Sequence, residues 1–125
     1  MLKEFNDLEW HDARLENIAV DKSNSENLNN IDSLELVIMW PSHNRSKIIF
    51  ENVYRANLSL NFGVIAEDSI YTAHIKEESK ELELIKEKWI KLYKGIENLI
   101  CFEIQTNTTN SIIQIFAMSF SIVEL

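Results

Sequence analysis

Apolar and polar residues alternate with a period of two along most of this chain. That spacing sets one face of a strand against a core and the other toward water. The first such run is Arg14 to Asp21, with Ile18 and Val20 on one side and Asn17, Ala19 and Asp21 on the other. The second, Ser33 to Trp40, is apolar on both parities: Leu34, Leu36, Ile38 and Trp40 against Val37 and Met39. Such a strand is expected to be covered on both faces. Pro41 ends it, because proline brings no amide donor to a ladder. A third run covers Lys47 to Arg55 and continues to Phe62, where Leu58, Leu60 and Phe62 are expected to face inward, before Gly63 breaks the pattern. Ser69 to Lys76 reads as a strand with Tyr71, Ala73 and Ile75 on one face and Ile70, Thr72 and His74 on the other. Leu99 to Thr106 and Ser111 to Val123 read as a hairpin around Asn107-Thr108-Thr109-Asn110. The apolar parity of the last run switches from Ile113 and Ile115 to Phe116, Met118 and Phe120. A β-bulge or corner near Ile115–Phe116 would produce that switch.

Two stretches carry the helical period instead. Leu2, Phe5 and Leu8 suit a short N-terminal turn docked on the core. From Glu78 to Lys94, the residues Leu82, Ile85, Trp89, Leu92 and Tyr93 recur at 3.6-residue spacing and predict one long amphipathic helix. Acids lead and lysines trail in this stretch, as the helix dipole favours, and Gly95 is placed as a left-handed stop. Residues 22–31 are Asn- and Ser-rich and read as a polar loop. The expected architecture is α+β in a single domain, residues 1–125. It is a mostly antiparallel, strongly curled sheet of about six to seven strands, a partly open barrel or sandwich, with the helix over residues 78–94 covering one face.

Composition narrows the function. Hydrophobic residues make up 46% and charged residues 26%, the balance of an ordinary globular domain. No apolar run approaches the roughly 20 residues of a membrane span, and acids stand where a signal peptide would be apolar, so a cytoplasmic protein is expected. The single cysteine, Cys101, excludes an internal disulfide and a multi-thiolate zinc site, and its apolar surroundings predict an inert buried thiol. A net charge of −8 disfavours nucleic acid and anionic membranes and suits a basic protein partner. With only two glycines there is no phosphate-cradling loop.

Among residue types able to do chemistry, Trp10-His11-Asp12 stands out for placing an aromatic ring, an imidazole and a carboxylate in three positions. Adjacent strand residues point to opposite faces, so His11 and Asp12 do not form a base and its orienter there. The simpler role is structural: Trp10 as a core anchor and Asp12 as a carboxylate that fastens the backbone before the first strand. His11, His43 and His74 lack metal-ligand spacing, and no Gly-x-Ser-x-Gly elbow occurs. Neither catalytic residues, nor a cofactor, nor a metal is assigned. An alternative is a small ligand-binding barrel, its apolar or sugar ligand held near Trp10, Trp40 and Tyr54.

The tract Trp10-His11-Asp12-Ala13-Arg14-Leu15-Glu16-Asn17-Ile18, with the later Ile49-Phe50-Glu51-Asn52-Val53 and the closing Ser119-Phe120-Ser121-Ile122, resembles small bacterial immunity proteins of polymorphic-toxin and contact-dependent competition systems. The resemblance implies a β-rich barrel or sandwich with a helix. It implies a non-enzymatic protein that binds a cognate toxin and blocks it. If that toxin is a nuclease with a basic surface, the acids Glu67, Asp68, Glu77 and Glu78 are the expected contacts.

Overall fold

The computed structural model describes residues 2–22, 32–63 and 68–125. Its strands are β1 (Arg14–Asp21), β2 (Ser33–Met39), β3 (Arg45–Ser59), β4 (Ile70–Lys76), β5 (Ile100–Thr106) and β6 (Ile112–Glu124). They form one six-stranded sheet in the order β1-β2-β3-β6-β5-β4, antiparallel throughout. The polar loop expected over 22–31 lies, from residue 23 on, outside the described residues.

Two long strands bend the sheet. In β3 the register against β6 shifts between Val53 and Arg55, opposite Ala117 and Phe116. The irregularity anticipated near Ile115–Phe116 therefore sits at this point of the ladder, but Tyr54 on β3 is the extra residue. Just before it, Asn52 takes φ 55°. Asn tolerates this left-handed conformation better than most residues. Past the bend the sheet folds over far enough for its two edges to touch. Arg14 of β1 bridges Ser69, just ahead of β4, and the Ile70 N–H donates to the Ala13 carbonyl at 2.7 Å. The sheet is not closed beyond this contact.

The concave side holds the main core. Leu34, Leu36, Ile38, Ile48, Phe50, Phe102, Ile104, Ile113 and Ile115 are buried there, and Phe5 and Trp10 from the N-terminal segment plug it. Phe5 lies with its ring centroid 5.0 Å from Trp10 and 4.9 Å from Phe102. Trp10 keeps its indole N–H satisfied by donating to the Phe5 carbonyl at 2.8 Å. A smaller cluster on the convex side joins Cys101 and Phe116 to Leu82, Ile85, Ile96 and Leu99.

The single long helix over residues 78–94 is not formed. The helix α2 spans Lys80–Trp89, ten residues, and among the described residues the other helices are α1 (Leu2–Asn6) and a 3₁₀ turn at Lys94–Asn98. Ser79 caps the start of α2, its side chain accepting from the Leu82 N–H at 3.2 Å. At the far end the Leu92 and Tyr93 amides both return to the Trp89 carbonyl, and the chain turns. Ending there lets Ile96 and Leu99 reach the sheet beside Leu82 and Ile85. A helix continued to Lys94 would carry the chain about 7–8 Å further along its axis. Leu92, assigned to the apolar stripe, is exposed instead. Gly95 is not left-handed: it lies in the 3₁₀ turn, where a Cβ would come within 2.3 Å of the Tyr93 ring. The cover that α2 supplies is over β5 and β6, so Val37 and Met39 of β2 stay only half-buried.

Candidate functional site

The seam between the two edges of the sheet is sealed at one end. There the Asp12 N–H donates to the Ile70 carbonyl at 3.2 Å, and the Asn6 side-chain carbonyl accepts from the Ile75 N–H at 2.8 Å, capping the edge of β4. At the other end the seam opens. From Leu15 to Val20 no described strand lies on the outer edge of β1.

Facing that edge is the chain that runs on from β3. Asn61 pins it to the β5–β6 hairpin: its N–H donates to the Ser111 hydroxyl at 2.9 Å and its side-chain amide to the Thr109 carbonyl at 2.9 Å. The flanking side chains are thereby held at a rim, and Phe62 is 85% exposed. Gly63 then turns the chain at φ +86°, a conformation that costs glycine little. A groove of about 550 Å³ lies between Leu15 and Ile18 on one wall and Leu60 and Phe62 on the other, with Thr106, Thr109 and Ser111 beneath. Alongside it, a second groove of about 310 Å³ is lined by Val20, Leu34, Val53, Ala56 and Leu58. Val20 is 58% exposed, and Leu58 and Leu60 are each more than a third exposed. Ile18 and Val20, like Leu58 and Leu60, are alternate residues of one extended chain, so each pair lies about 6.5–7 Å apart on one face. The five side chains Ile18, Val20, Leu58, Leu60 and Phe62 thus frame one apolar opening.

The expectation that Leu58, Leu60 and Phe62 point inward is corrected here. Their alternation is real, but no described residue covers them fully. No signal in the sequence marked this opening as a site.

Asp68 stands beneath the opening as a clamp. One carboxylate oxygen accepts the Thr108 and Thr109 amides at 2.9 and 3.0 Å, and the other accepts the Thr109 hydroxyl. Burial pushes its pKa up, but the hydrogen bonds from Thr109, Thr106 and Thr108 together outweigh this and hold it below the ordinary value of 3.8. The group stays ionised while its oxygens face the turn.

Of the four acids named from sequence, the three that the structure describes are not gathered in one patch. Glu67 lies outside the described residues. Glu77 and Glu78 are exposed beyond the other end of β4 from Asp68. Eight residues of mostly extended chain separate Asp68 from Glu77, roughly 25–30 Å at about 3.3 Å per residue.

The tract around Trp10 builds the sealed end. Trp10 is buried, with its ring 5.2 Å from Trp40, whose indole N–H donates to the Ser46 hydroxyl at 2.8 Å. Tyr54 lies on the opposite side of the sheet against Trp89, ring centroids 5.1 Å apart. Trp10, Trp40 and Tyr54 therefore do not share a cavity. His11 and Asp12 are exposed on the turn, Nε2 and the carboxylate 3.8 Å apart. Asp12 fastens this turn with its backbone N–H, at φ 68°, rather than with its carboxylate. His43 and His74 are exposed as well. Among the described residues no group of three or more His, Cys, Asp or Glu stands close enough to hold a metal ion. Cys101 is buried, and desolvation, reinforced by Glu103, pushes its thiol up to about 11. No described helix is long and apolar enough to cross a membrane.

Comparison of the chain with models of protein families, with curated proteins and with solved structures returned no match.

Proposed function

We propose that this is a non-enzymatic interaction protein of the bacterial cytoplasm that neutralises a cognate toxin by binding it. The observation that carries the reading is the opening framed by Ile18, Val20, Leu58, Leu60 and Phe62. Scattered exposed apolar side chains need no explanation, but a contiguous set at a groove marks a surface that another molecule covers. The charge of −8 agrees with a basic partner, because complementary charge speeds encounter and favours register. The resemblance around Trp10-His11-Asp12-Ala13 supplies the class of partner. The test is co-expression with the product of the adjacent reading frame. Toxicity is expected to be suppressed and the two proteins to co-purify. A product that stays fully toxic, or passes through the affinity column unbound, refutes the reading.

A second reading, a small-ligand site, has one observation in its favour: the larger groove, at about 550 Å³, falls within the size range of small-molecule pockets. Its place is the open seam rather than the packed interior near Trp10. A Tm unchanged across a library of sugars and apolar metabolites would remove it.

A further inference from the structure

We propose that the hollow beside Trp40 binds a neutral saccharide, with the sugar ring on the indole and its hydroxyls on the polar groups around it. The site is separate from the seam and depends on neither reading above. The hollow holds about 350 Å³, within the size range of small-molecule pockets, and is lined by Leu8, Trp40, Ser42, Asn44 and Arg45, with Glu9 and Glu124 also in its wall. It lies far from the seam groove. The Ser46–Glu124 pair stands at one end of the β3–β6 ladder and the Ser59–Ile112 pair at the other. Along β2, Trp40 is roughly 23 Å from Ser33 at about 3.3 Å per residue.

Trp40 is set before a ligand arrives. Its indole N–H donates to the Ser46 hydroxyl at 2.8 Å, and its ring meets that of Trp10 at 63° with centroids 5.2 Å apart. Its backbone N–H donates to the Asn44 carbonyl at 2.9 Å, and its carbonyl accepts from the His43 N–H at 2.8 Å. These two bonds close the turn that carries Ser42 and Asn44. Arg45 is fixed likewise: Nε and Nη2 donate to the two carboxylate oxygens of Glu16 at 2.6 and 3.3 Å, which leaves Nη1 for another acceptor. An aromatic ring and a guanidinium already held in place lose little freedom on binding.

The polar inventory selects the ligand. Ser42 and Asn44 can donate and accept, Arg45 only donates, and ionised Glu9 and Glu124 only accept. An anion would meet two carboxylates. A cation would find Arg45, a pure donor, in the same wall. An apolar ligand would strip water from hydroxyl, amide and carboxylate without replacing its hydrogen bonds. A pyranose answers all of them. Each of its hydroxyls both donates and accepts, and the C–H groups on one face of its ring carry the weak positive charge that an aromatic face attracts.

The experiment records amide and indole NMR spectra of the full-length protein against methyl glucoside, methyl galactoside and N-acetylglucosamine. Acetate, methylguanidinium and indole serve as anionic, cationic and apolar probes. The Trp40 indole N–H and the Asn44 side-chain amide are expected to shift saturably with at least one of the sugars and with none of the other three. Ser42→Ala combined with Asn44→Ala should weaken that binding by about threefold to tenfold for each hydrogen bond removed. The Tm of this variant should not move, because both side chains are exposed and neither bonds another described residue. Glu9→Gln provides a second variant, with weaker binding and an unchanged Tm expected again. Saturable shifts of Trp40 with acetate, methylguanidinium or indole instead assign the hollow to that chemistry and overturn the saccharide. A sugar that shifts Ile18 and Phe62 while Trp40 stays unmoved lies in the seam and overturns it too. So does wild-type affinity in both variants, or the lack of a saturable shift with every sugar.

Discussion

Replacing Phe5 with alanine should be among the most damaging single changes in the chain, although it lies on a helix of only five residues. Phe5 is fully buried, and its ring lies 4.9 to 6.3 Å from those of Trp10, Phe50, Phe102 and Phe120. It is the hub where the N-terminal segment meets both halves of the bent sheet. Truncating a buried Phe to Ala costs about 3–5 kcal/mol, combining lost transfer energy with the cavity left behind. The upper half of that range applies, because four aromatic partners lose ring contacts together, each pair contributing about 0.5–1.5 kcal/mol beyond its area. For 125 residues the unfolding entropy is about 0.26 kcal/mol/K, so the Tm should fall by roughly 15–19 °C. Urea unfolding followed by tryptophan fluorescence reads the loss directly, since Trp10 stacks on the deleted ring. Phe5→Leu should fall between the two. The variant should also speed exchange of the Ile70 and Ile75 amides, which the N-terminal segment covers. A loss below about 1 kcal/mol would refute the hub, because a freely docked tail, unlike a core element, tolerates truncation.

Three further outcomes follow from local chemistry. Cys101 should resist thiol-labelling reagents at pH 8 in the native protein and react only in denaturant, since a thiol with a pKa of about 11 is protonated there and buried besides; labelling within minutes under native conditions would contradict its burial. Asp68→Asn should remove an acid-sensitive contribution to stability. The folded pKa is lowered, so that contribution is present above the unfolded value of 3.8 and lost as pH falls through the folded value. Stability profiles of wild type and variant should therefore converge below pH 3.8 and separate above it, and parallel profiles would show that the carboxylate does not hold the turn. Ser79→Ala should cost about 0.5–2 kcal/mol by freeing the Leu82 amide, measured as a shift in urea midpoint, and an unchanged midpoint would remove Ser79 as the cap.

Legibility followed a physical line. Where burial is decided by near neighbours, the pattern of residues located the element: β1 begins and ends where the alternation from Arg14 to Asp21 does. The parity switch in β6 likewise located the bend, although the inserted residue proved to be Tyr54 across the ladder. A parity switch reports that two strands disagree in register, not which of them carries the extra residue. The end of α2 was not legible, because Leu92 and Tyr93 continue the apolar period. What stops the helix is the need of Ile96 and Leu99 to return to the sheet, a tertiary demand without local signature. Asp68 was parted from Glu77 and Glu78 by the length of β4, since an extended strand is the most efficient way a chain has of separating its ends. Trp10 could be recognised as an anchor from its size alone. That the Asp12 backbone, and not its carboxylate, would do the fastening depends on Ile70 arriving opposite it.

The opening arises from a mismatch of strand lengths. β1 and β2 have eight and seven residues, whereas β3 and β6 have fifteen and thirteen. Bending β3 and β6 at Tyr54 lets one half of the sheet fold over the other, but the short half cannot cover the whole of the long one. Leu58 at the end of β3, and Leu60 and Phe62 beyond it, extend past the cover. Polar residues there would leave the core unchanged, because these side chains contribute little to it. Leu, Leu and Phe at alternate positions instead maintain one apolar face over the overhang, opposite Ile18 and Val20. Asn61, between two of them, is tied to the hairpin by hydrogen bonds to Ser111, Thr109 and Asn110, so the face is held in place rather than left to collapse into the groove. A surface that is apolar and held in place is preorganised, since little conformational freedom is left for binding to remove. The sealed end serves the same purpose at a distance: Phe5, Trp10 and the Arg14–Ser69 bridge set the gap between the two walls, so loss of that plug should weaken partner binding as well as stability.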